Sequence, residues 1–314
     1  HRDLHLSIRR QRQMCIRDSN NSLTFKACTL CSGTSLKVLK KYSKDHLVKC
    51  NECSFVFAIK IPSSNELDLV YSNYSRGNQI TSLSKTKNIN LAQFIKDINP
   101  EMQSCLDIAC GEGHLLEAFN EIGIQTFGTE HESGKDLLIQ KGINYIEGEF
   151  FPKTDNKFDL IIFTEAIEHI NDQEDFIKHA KSLLNPNGLL YMTTPNFNSL
   201  ERRVLGPSWG MFVYPEHLSY YSPKTINILH TQEGLEKVFV KTENISIYRF
   251  IEYFKRNQVK ESSNANNFDP LEVSDKVQRL IEAKPIFSIL KKIVNYFLNL
   301  LGLGTSLISL YKKK

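Results

Sequence analysis

From Leu91 onward, short apolar runs alternate with stretches of helical period, and this alternation sets the architecture. Runs of three to six residues read as buried strands at Cys105–Ala109, Thr126–Thr129, Asn144–Ile146, Phe158–Phe163 and Leu189–Thr193. Between them, Phe176, Ile177, Ala180, Leu183 and Leu184 form one apolar stripe at i, i+1, i+4, i+7 and i+8, stopped by Asn185-Pro186-Asn187-Gly188. Ser222 with Pro223 behind it reads as a helix start that runs to Gly234, followed by a strand near Val238–Val240. Helical sequence from Leu271 to Leu301 leads through Gly302 and Gly304 to a last strand-like run, Leu307–Tyr311. Strands alternating with helices predict an α/β fold: a doubly wound, mostly parallel sheet with crossover helices.

Ahead of this alternation the pattern changes. Cys28-x₂-Cys31 and Cys50-x₂-Cys53 are two knuckles joined by a short hairpin, a spacing that fits tetrahedral thiolate ligation of zinc. A closed four-thiolate shell leaves no open position, so the metal it implies is structural. Lys37, Lys40, Lys41, Lys44 and Lys49 lie on this module, and such a run is more often a solvated face than a nucleic-acid footprint.

Composition narrows the field. The chain has 314 residues and a formal charge of +4, but five arginines against two aspartates fall within the first nineteen. That segment ends Gln13-Met14-Cys15-Ile16-Arg17-Asp18-Ser19, resembles translated sequencing-adaptor read-through, and lacks the apolar core of a signal peptide. The remainder is near neutral, which gives no reason to expect a nucleic-acid partner. The apolar stretch Ile293–Leu303 is broken by Asn295 and Asn299 and is shorter than the roughly 20 residues of a membrane span. A cytoplasmic protein is expected. Peripheral membrane contact through Ile286–Leu301, with Lys291 and Lys292, is weighed against packing on the sheet edge, the commoner role.

The chemistry begins at Asp107-Ile-Ala-Cys-Gly111-Glu-Gly113, which closes one strand and opens the helix His114–Phe119. Two glycines let the backbone approach a ligand, beside a helix N-terminus that favours an anion. A dinucleotide turn would carry a third glycine where this chain has Leu116. S-adenosylmethionine suits the turn better: its carboxylate faces the N–H groups and its ammonium faces an acid such as Asp107. Glu130, at the end of the next strand, is placed to accept ribose hydroxyls. A lone Gly-x-Gly is usually an ordinary strand–helix turn; acids at both strand ends reverse those odds.

At these residues the chain resembles the class I S-adenosylmethionine-dependent methyltransferases, over most of its length from Cys28. Cys105-Leu-Asp-Ile-Ala-Cys-Gly-Glu-Gly-His-Leu-Leu matches the first motif, with Ala109 in place of a glycine. Gly148-Glu149-Phe150 matches the turn after the third strand, Phe158–Ile170 the fourth strand and its turn, and Leu184–Leu190 with Thr194-Pro195-Asn196 the fifth. The resemblance implies a cofactor site of Asp107, Ala109, Gly111, Gly113, Glu130, Glu149, Phe150 and Thr164, with Glu149 taking the adenine amino group. It implies a seven-stranded sheet in which Leu307–Tyr311 is an antiparallel edge strand. A zinc ribbon before the catalytic domain resembles sugar and cell-surface-glycan methyltransferases, although those carry glycine where this chain has Ser32 and Ser54.

These readings divide the chain into a leader (1–19), a zinc-ribbon module (20–60), a linker (61–89), a methyltransferase domain (90–250), a helical insertion (251–303) and a final strand (304–314). A hydroxyl acceptor needs a base, and His217 in Tyr214-Pro-Glu-His-Leu-Ser-Tyr-Tyr221 is the leading candidate, with Glu216 to orient it and His169 near the cofactor. His179 and His230 read as surface or packing residues. Tyr71, Tyr74, Trp209, Tyr214, Tyr220 and Tyr221 suit either sugar stacking or inter-domain packing. The expected function is O-methylation of a sugar on a nucleotide-sugar or glycan precursor. Carbon methylation of a sugar is the rival chemistry, and a non-catalytic cofactor-binding or nucleic-acid-binding zinc-ribbon protein the rival class.

Overall fold

The structure is a computed structural model that describes residues 15–17, 23–63, 65–67, 82–245, 249–250, 253 and 285–314. Tyr71, Tyr74, the linker around 261–267 and the first half of the expected C-terminal helical stretch lie outside these residues.

The N-terminal strands are short. β1 (Cys15–Arg17) pairs antiparallel with β2 (Leu23–Phe25). β3 (Leu36–Val38), β4 (Leu47–Cys50) and β5 (Val56–Ala58) then form an antiparallel meander carrying the cysteine knuckles. Helix α1 (Ser82–Ile98) leads into the main sheet, whose order of succession is β6 (Ser104–Asp107), α2 (His114–Glu121), β7 (Gln125–Gly128), α3 (Lys135–Gln140), β8 (Asn144–Tyr145) and β9 (Phe158–Thr164). The chain continues through α4 (Gln173–Ser182), β10 (Leu184–Pro195), α5 (Leu200–Leu205), β11 (Ser219–Tyr220), α6 (Pro223–Gln232), β12 (Leu235–Glu243), α7 (Pro285–Leu301) and β13 (Ser306–Lys313).

Seven strands make one sheet in the order β12-β13-β10-β9-β6-β7-β8. All pairs from β10 to β8 are parallel, and β13 runs antiparallel to both β10 and β12. β13 therefore sits one place in from the edge, and β12 is the outer strand. The order reverses at β6, whose neighbours are β7 and β9. Ligands of doubly wound sheets bind outside the strand ends at such a switch point.

Local sequence explains most boundaries. Ser222 caps α6 through a reciprocal capping box with Thr225, and Gly234 takes a left-handed φ of 72° after the last turn. Asn185–Gly188, expected to stop a helix and to belong to the fifth-strand motif, forms a bulge within β10. Leu184 pairs with Phe158, Leu189 with Leu160, and Asn187 has φ 63° between them.

Two relationships differ from the sequence expectation. The cysteine module is not set apart from the catalytic domain: β11 pairs antiparallel with β5, which makes the meander a four-stranded sheet in the order β11-β5-β4-β3. Cys28, Phe55 and Phe57 of the module share one buried cluster with Phe163, Phe176 and Tyr221. The second difference concerns α7, which turns its polar side to the protein. Asn295 Oδ1 accepts from the Asn244 N–H at 3.1 Å, and Asn299 Oδ1 accepts from the Thr242 N–H at 3.0 Å. The outer strand β12 has donors to satisfy, and asparagines serve them better than leucines do. Ile289, Ile293, Phe297 and Leu300 are left exposed. Among the described residues no helix is long and apolar enough to cross a membrane.

Candidate active site

The glycine turn follows β6 in an alternating left-handed conformation: φ is 56° at Ala109, 56° at Gly111 and 72° at Gly113. The two glycines do different work. A Cβ on Gly113 would lie 2.5 Å from Ile143 Cδ1, so that glycine serves helix–strand packing. A Cβ on Gly111 would meet nothing within 4 Å, because that face of the turn opens outward. The ligand-approach position is therefore Gly111.

Acidic residues surround the turn. Asp107, at the end of β6, is 2% exposed, and its Oδ1 has no hydrogen-bond partner. Burial, and then the neighbouring Glu130 carboxylate, push its pKa well above the usual carboxylate range. Glu130 is held by the turn itself: Oε2 accepts from the Gly111 N–H at 2.8 Å and Oε1 from the His131 N–H at 3.0 Å. These contacts hold the carboxylate at the end of β7, where the ribose contact is expected. A buried carboxylate oxygen without a donor, beside a second carboxylate, is a place for a cationic ligand group. The ammonium of S-adenosylmethionine fits that demand.

Thr129 is a link that sequence reasoning missed. Its buried hydroxyl accepts from the Ala109 N–H at 3.1 Å and donates to the Glu149 carbonyl at 2.6 Å. It ties the glycine turn to Gly148-Glu149-Phe150, where φ 99° at Gly148 and a would-be Cβ at 2.2 Å from Phe151 O require glycine. Phe150 is buried in the main core and Glu149 is half-buried. Thr164 ends β9, level with Thr193 on β10. All the expected cofactor residues thus gather at the carboxyl ends of β6 to β9.

Beyond β9, Glu165 adopts φ 51° and accepts from the Thr193 hydroxyl at 2.8 Å. A 3₁₀ turn, Ile167–His169, follows. It presents His169 to His217, their rings 4.8 Å apart and nearly perpendicular at 85°. Each histidine places Nδ1 on a backbone carbonyl: His169 on Glu216 O at 3.0 Å, His217 on Met211 O at 2.9 Å. A carbonyl only accepts, so each Nδ1 bears the proton and each Nε2 keeps its lone pair. Burial, with His217 alongside, lowers His169 to about 4, and burial lowers His217 as well. Both rings are neutral at physiological pH.

The expectation that the Glu216 side chain orients His217 is corrected here. Met211 O does that, and Glu216 contributes its own backbone carbonyl to His169 from a tight turn whose Glu216 and His217 N–H groups both donate to the Val213 carbonyl. Glu168, which sequence reasoning left without a role, is 1% exposed beside the two rings. Its Oε2 accepts from the Thr194 hydroxyl at 2.9 Å, while Oε1 has no partner. Burial and then Glu165 raise its pKa well above the usual carboxylate range. The signal available was the Glu165-x-x-Glu168-His169 spacing itself.

Of the other expected residues, His230 packs, stacked on Tyr311 at 4.2 Å. His179 places Nε2 on the Pro152 carbonyl. The loop aromatics pack too. Trp209 and Tyr220 are buried with the module's Tyr42, Leu47 and Val56, and Tyr214 lies against His46 and Lys60. Lys37, Lys40, Lys41 and Lys44 are exposed.

The four cysteine sulfurs converge within 4.8 Å of one another, with Cys28–Cys53 at 3.6 Å and Cys31–Cys50 at 3.7 Å. Sulfurs on one zinc ion with bonds of about 2.3 Å lie about 3.8 Å apart, so the donor set fits that metal. Ser32 and Ser54 stand at φ 57° and 73°, the left-handed corners where glycine would relieve strain.

A methyltransferase-domain family profile matches residues 83–239, half of the chain. The chain belongs to that family. Among curated proteins it is similar to the ubiquinone biosynthesis O-methyltransferase of Bradyrhizobium diazoefficiens, 28% identical over 155 residues, covering 41% of this chain and 60% of that one. It is also similar to the mitochondrial protein of that name from Bos taurus, 29% identical over 141 residues, or 36% and 38% of the two chains. The match thus spans three-fifths or less of these relatives. Among solved structures, a SAM-dependent methyltransferase from Archaeoglobus fulgidus aligns with TM-score 0.47 and 15% identity, over 72% of this chain and 94% of that one. The N-methyltransferase NodS from Bradyrhizobium japonicum WM9, in complex with S-adenosyl-L-homocysteine, aligns with TM-score 0.43 and 13% identity, over 74% and 88%.

Proposed function

We propose that this methyltransferase-domain protein transfers a methyl group from S-adenosylmethionine to a hydroxyl oxygen of a small acceptor. The observation that carries the cofactor assignment is the unpartnered, buried Asp107 Oδ1 beside a glycine turn whose Gly111 faces open space. Asp107 takes the ammonium, Glu130 the ribose hydroxyls, and the Glu149 loop the adenine. Methyl transfer is an in-line displacement, so the protein's main work is to position the two reactants and exclude water. The acceptor hydroxyl must also lose its proton, and His217, neutral with an unprotonated Nε2, is the residue on which that loss depends. The relatives named as O-methyltransferases support oxygen as the methylated atom. A sugar hydroxyl on a nucleotide-sugar or glycan precursor is the acceptor class favoured by the four-cysteine layout. Structural zinc belongs to the same reading.

Calorimetry with S-adenosylmethionine tests the cofactor site. Asp107→Asn should weaken binding by about 1.5–3 kcal/mol, the range for a charge-assisted hydrogen bond. Gly111→Val should abolish binding, since its side chain would fill the approach face. With an acceptor found among nucleotide-sugars, His217→Ala should lower turnover by about 10²–10⁴-fold and leave cofactor affinity intact. Tighter binding of a nicotinamide dinucleotide than of S-adenosylmethionine would overturn the assignment.

A further inference from the structure

Helix α7 is held to the protein by its polar side and leaves its apolar side bare. Asn295 and Asn299 accept from β12 backbone N–H groups, and the Leu298 carbonyl accepts from the Thr242 hydroxyl at 2.9 Å. Among the described residues of the helix only Leu298 is buried. From Ile289 to Leu301, eight large apolar side chains are exposed, each by 37% to 67%. They fall in two adjacent stripes at alternating four- and three-residue spacing: Ile289, Ile293, Tyr296 and Leu300, and the four residues one position on. At 3.6 residues per turn the two stripes cover an arc of about 160°. That spacing is the seam of a helix that packs on another helix, and an exposed apolar patch of this extent marks an interface.

A bilayer surface and another protein are the two kinds of occupant for such an arc. A helix lying in a bilayer surface has a strongly charged opposite face, and anionic lipid is recognised by clusters of about four to eight basic residues. Helix α7 has two, Lys291 and Lys292, and its opposite face carries asparagines already bonded to β12. The area points to a second copy. The exposed parts of the eight side chains come to about 800 Å², the share that each partner gives to a standard stable interface.

We propose that α7 is a dimer interface, in which the apolar arcs of two copies of this chain pack on each other about a two-fold axis. An isologous contact needs one patch that fits itself, and an uncharged arc of aliphatic and aromatic side chains does so. The helices run antiparallel. A parallel pair would set the exposed Lys292 beside its own copy, at a cost in like-charge repulsion. An antiparallel pair about the middle of the helix sets Ile289 against Leu301 of the second copy and Ile293 against Phe297, and keeps the lysines apart. The contact braces the catalytic end of the sheet. Gly302 follows α7, and its carbonyl accepts from Asn196 Nδ2 at 3.0 Å. Asn196 follows β10 at the end where Thr193 and Thr194 donate to Glu165 and Glu168.

The test is sedimentation velocity of the full chain under reducing conditions, its cysteine site loaded with zinc. A dimer should be present at micromolar concentration, and Tm should rise with protein concentration. Phe297→Glu puts a carboxylate from each copy into the contact and should weaken dimerisation by about a hundredfold or more. Leu300→Glu is the second variant. The two positions are 54% and 67% exposed, so neither substitution disturbs the fold of the protomer. Val38→Glu, at an apolar position on β3 that is 62% exposed, should leave the dimer intact. A monomer at every concentration, or a dimer indifferent to both α7 substitutions, overturns the proposal. So does a monomer that sediments with vesicles of anionic phospholipid and loses them in Phe297→Glu, which would give the face to a bilayer.

Discussion

Phe57→Ala asks whether the cysteine module and the catalytic sheet fold as one unit. Phe57 lies on β5 and is 1% exposed. It is stacked on Phe55 at 5.7 Å and edge-on to Phe25 at 5.9 Å. Its backbone register partner is Ser219 of the catalytic domain. Truncating a buried phenylalanine costs about 3–5 kcal/mol, the lost transfer energy plus the cavity left behind. In a chain of this size that corresponds to a drop of about 10 °C in Tm. The decisive assay is native-state hydrogen exchange. The amides of Leu106 on β6 and Ile162 on β9 lie in the middle of the other sheet and should exchange only on global unfolding. If the two sheets are one cooperative unit, those amides should lose about two to four orders of magnitude of protection in the variant. Full protection at Leu106 and Ile162, with loss confined to β4 and β5, would refute the shared core.

Three further outcomes follow from metal, backbone and charge. Metal analysis should find one tightly held zinc per chain, lost in Cys50→Ser, and Ser32→Gly and Ser54→Gly should each raise stability by about 1 kcal/mol by relieving a left-handed serine; lower stability would show that the serine side chains have their own role. His230 is fully buried, and burial lowers it to about 4 from an ordinary 6.5, so the folded state binds fewer protons than the unfolded one in that interval and stability falls as pH falls through it. Denaturant unfolding of His230→Phe should be less acid-sensitive than wild type by about 3 kcal/mol between pH 7 and 4, and parallel pH profiles would contradict a neutral buried ring.

The strands of the main sheet were legible because each is a short apolar run bounded by a turn residue, which burial on both faces requires. Their ends shifted by up to five residues, the most at β10, which starts at Leu184 rather than Leu189. Ala109, for example, takes a left-handed φ that stops β6 at Asp107, which composition does not reveal. The convergence of the four cysteines was legible from spacing alone, because a knuckle is a local structure. The pairing of β5 with Ser219–Tyr220 was not legible: two residues carry no periodicity, and their partners lie more than 160 positions away. Glu168 escaped for a related reason. Within Phe158–Ile170 it reads as one acid among several, and only the fold shows that it alone is buried against two histidines. From sequence, sheet-edge packing of Ile286–Leu301 is weighed against membrane contact, and nothing says which face turns inward. Here the demand of the β12 backbone for acceptors prevailed at Asn295 and Asn299.

The same long-range pairing gives the cysteine module a reason to be attached to this domain. The loop that carries His217 ends in Leu218, whose N–H donates to the Glu168 carbonyl at 2.8 Å and whose carbonyl accepts from the Ala58 N–H at 2.8 Å. One residue therefore clamps the loop between the turn after β9 and the edge of the module. Tyr214 in the loop packs on His46, and Trp209 before it is buried with Leu47 and Val56. That loop left alone would be held only by its own short turns, and in the role proposed for His217 a loss of about 1 Å in position is enough to cost orders of magnitude in a displacement reaction. The module lies too far along the chain to be a local brace, so its own geometry must be rigid for the clamp to work, and zinc held by the four thiolates, as proposed above, would supply that rigidity without a large core. The cysteines and His217 are parts of one device: the first fixes β5, β5 fixes Leu218, and Leu218 fixes the histidine against Glu168.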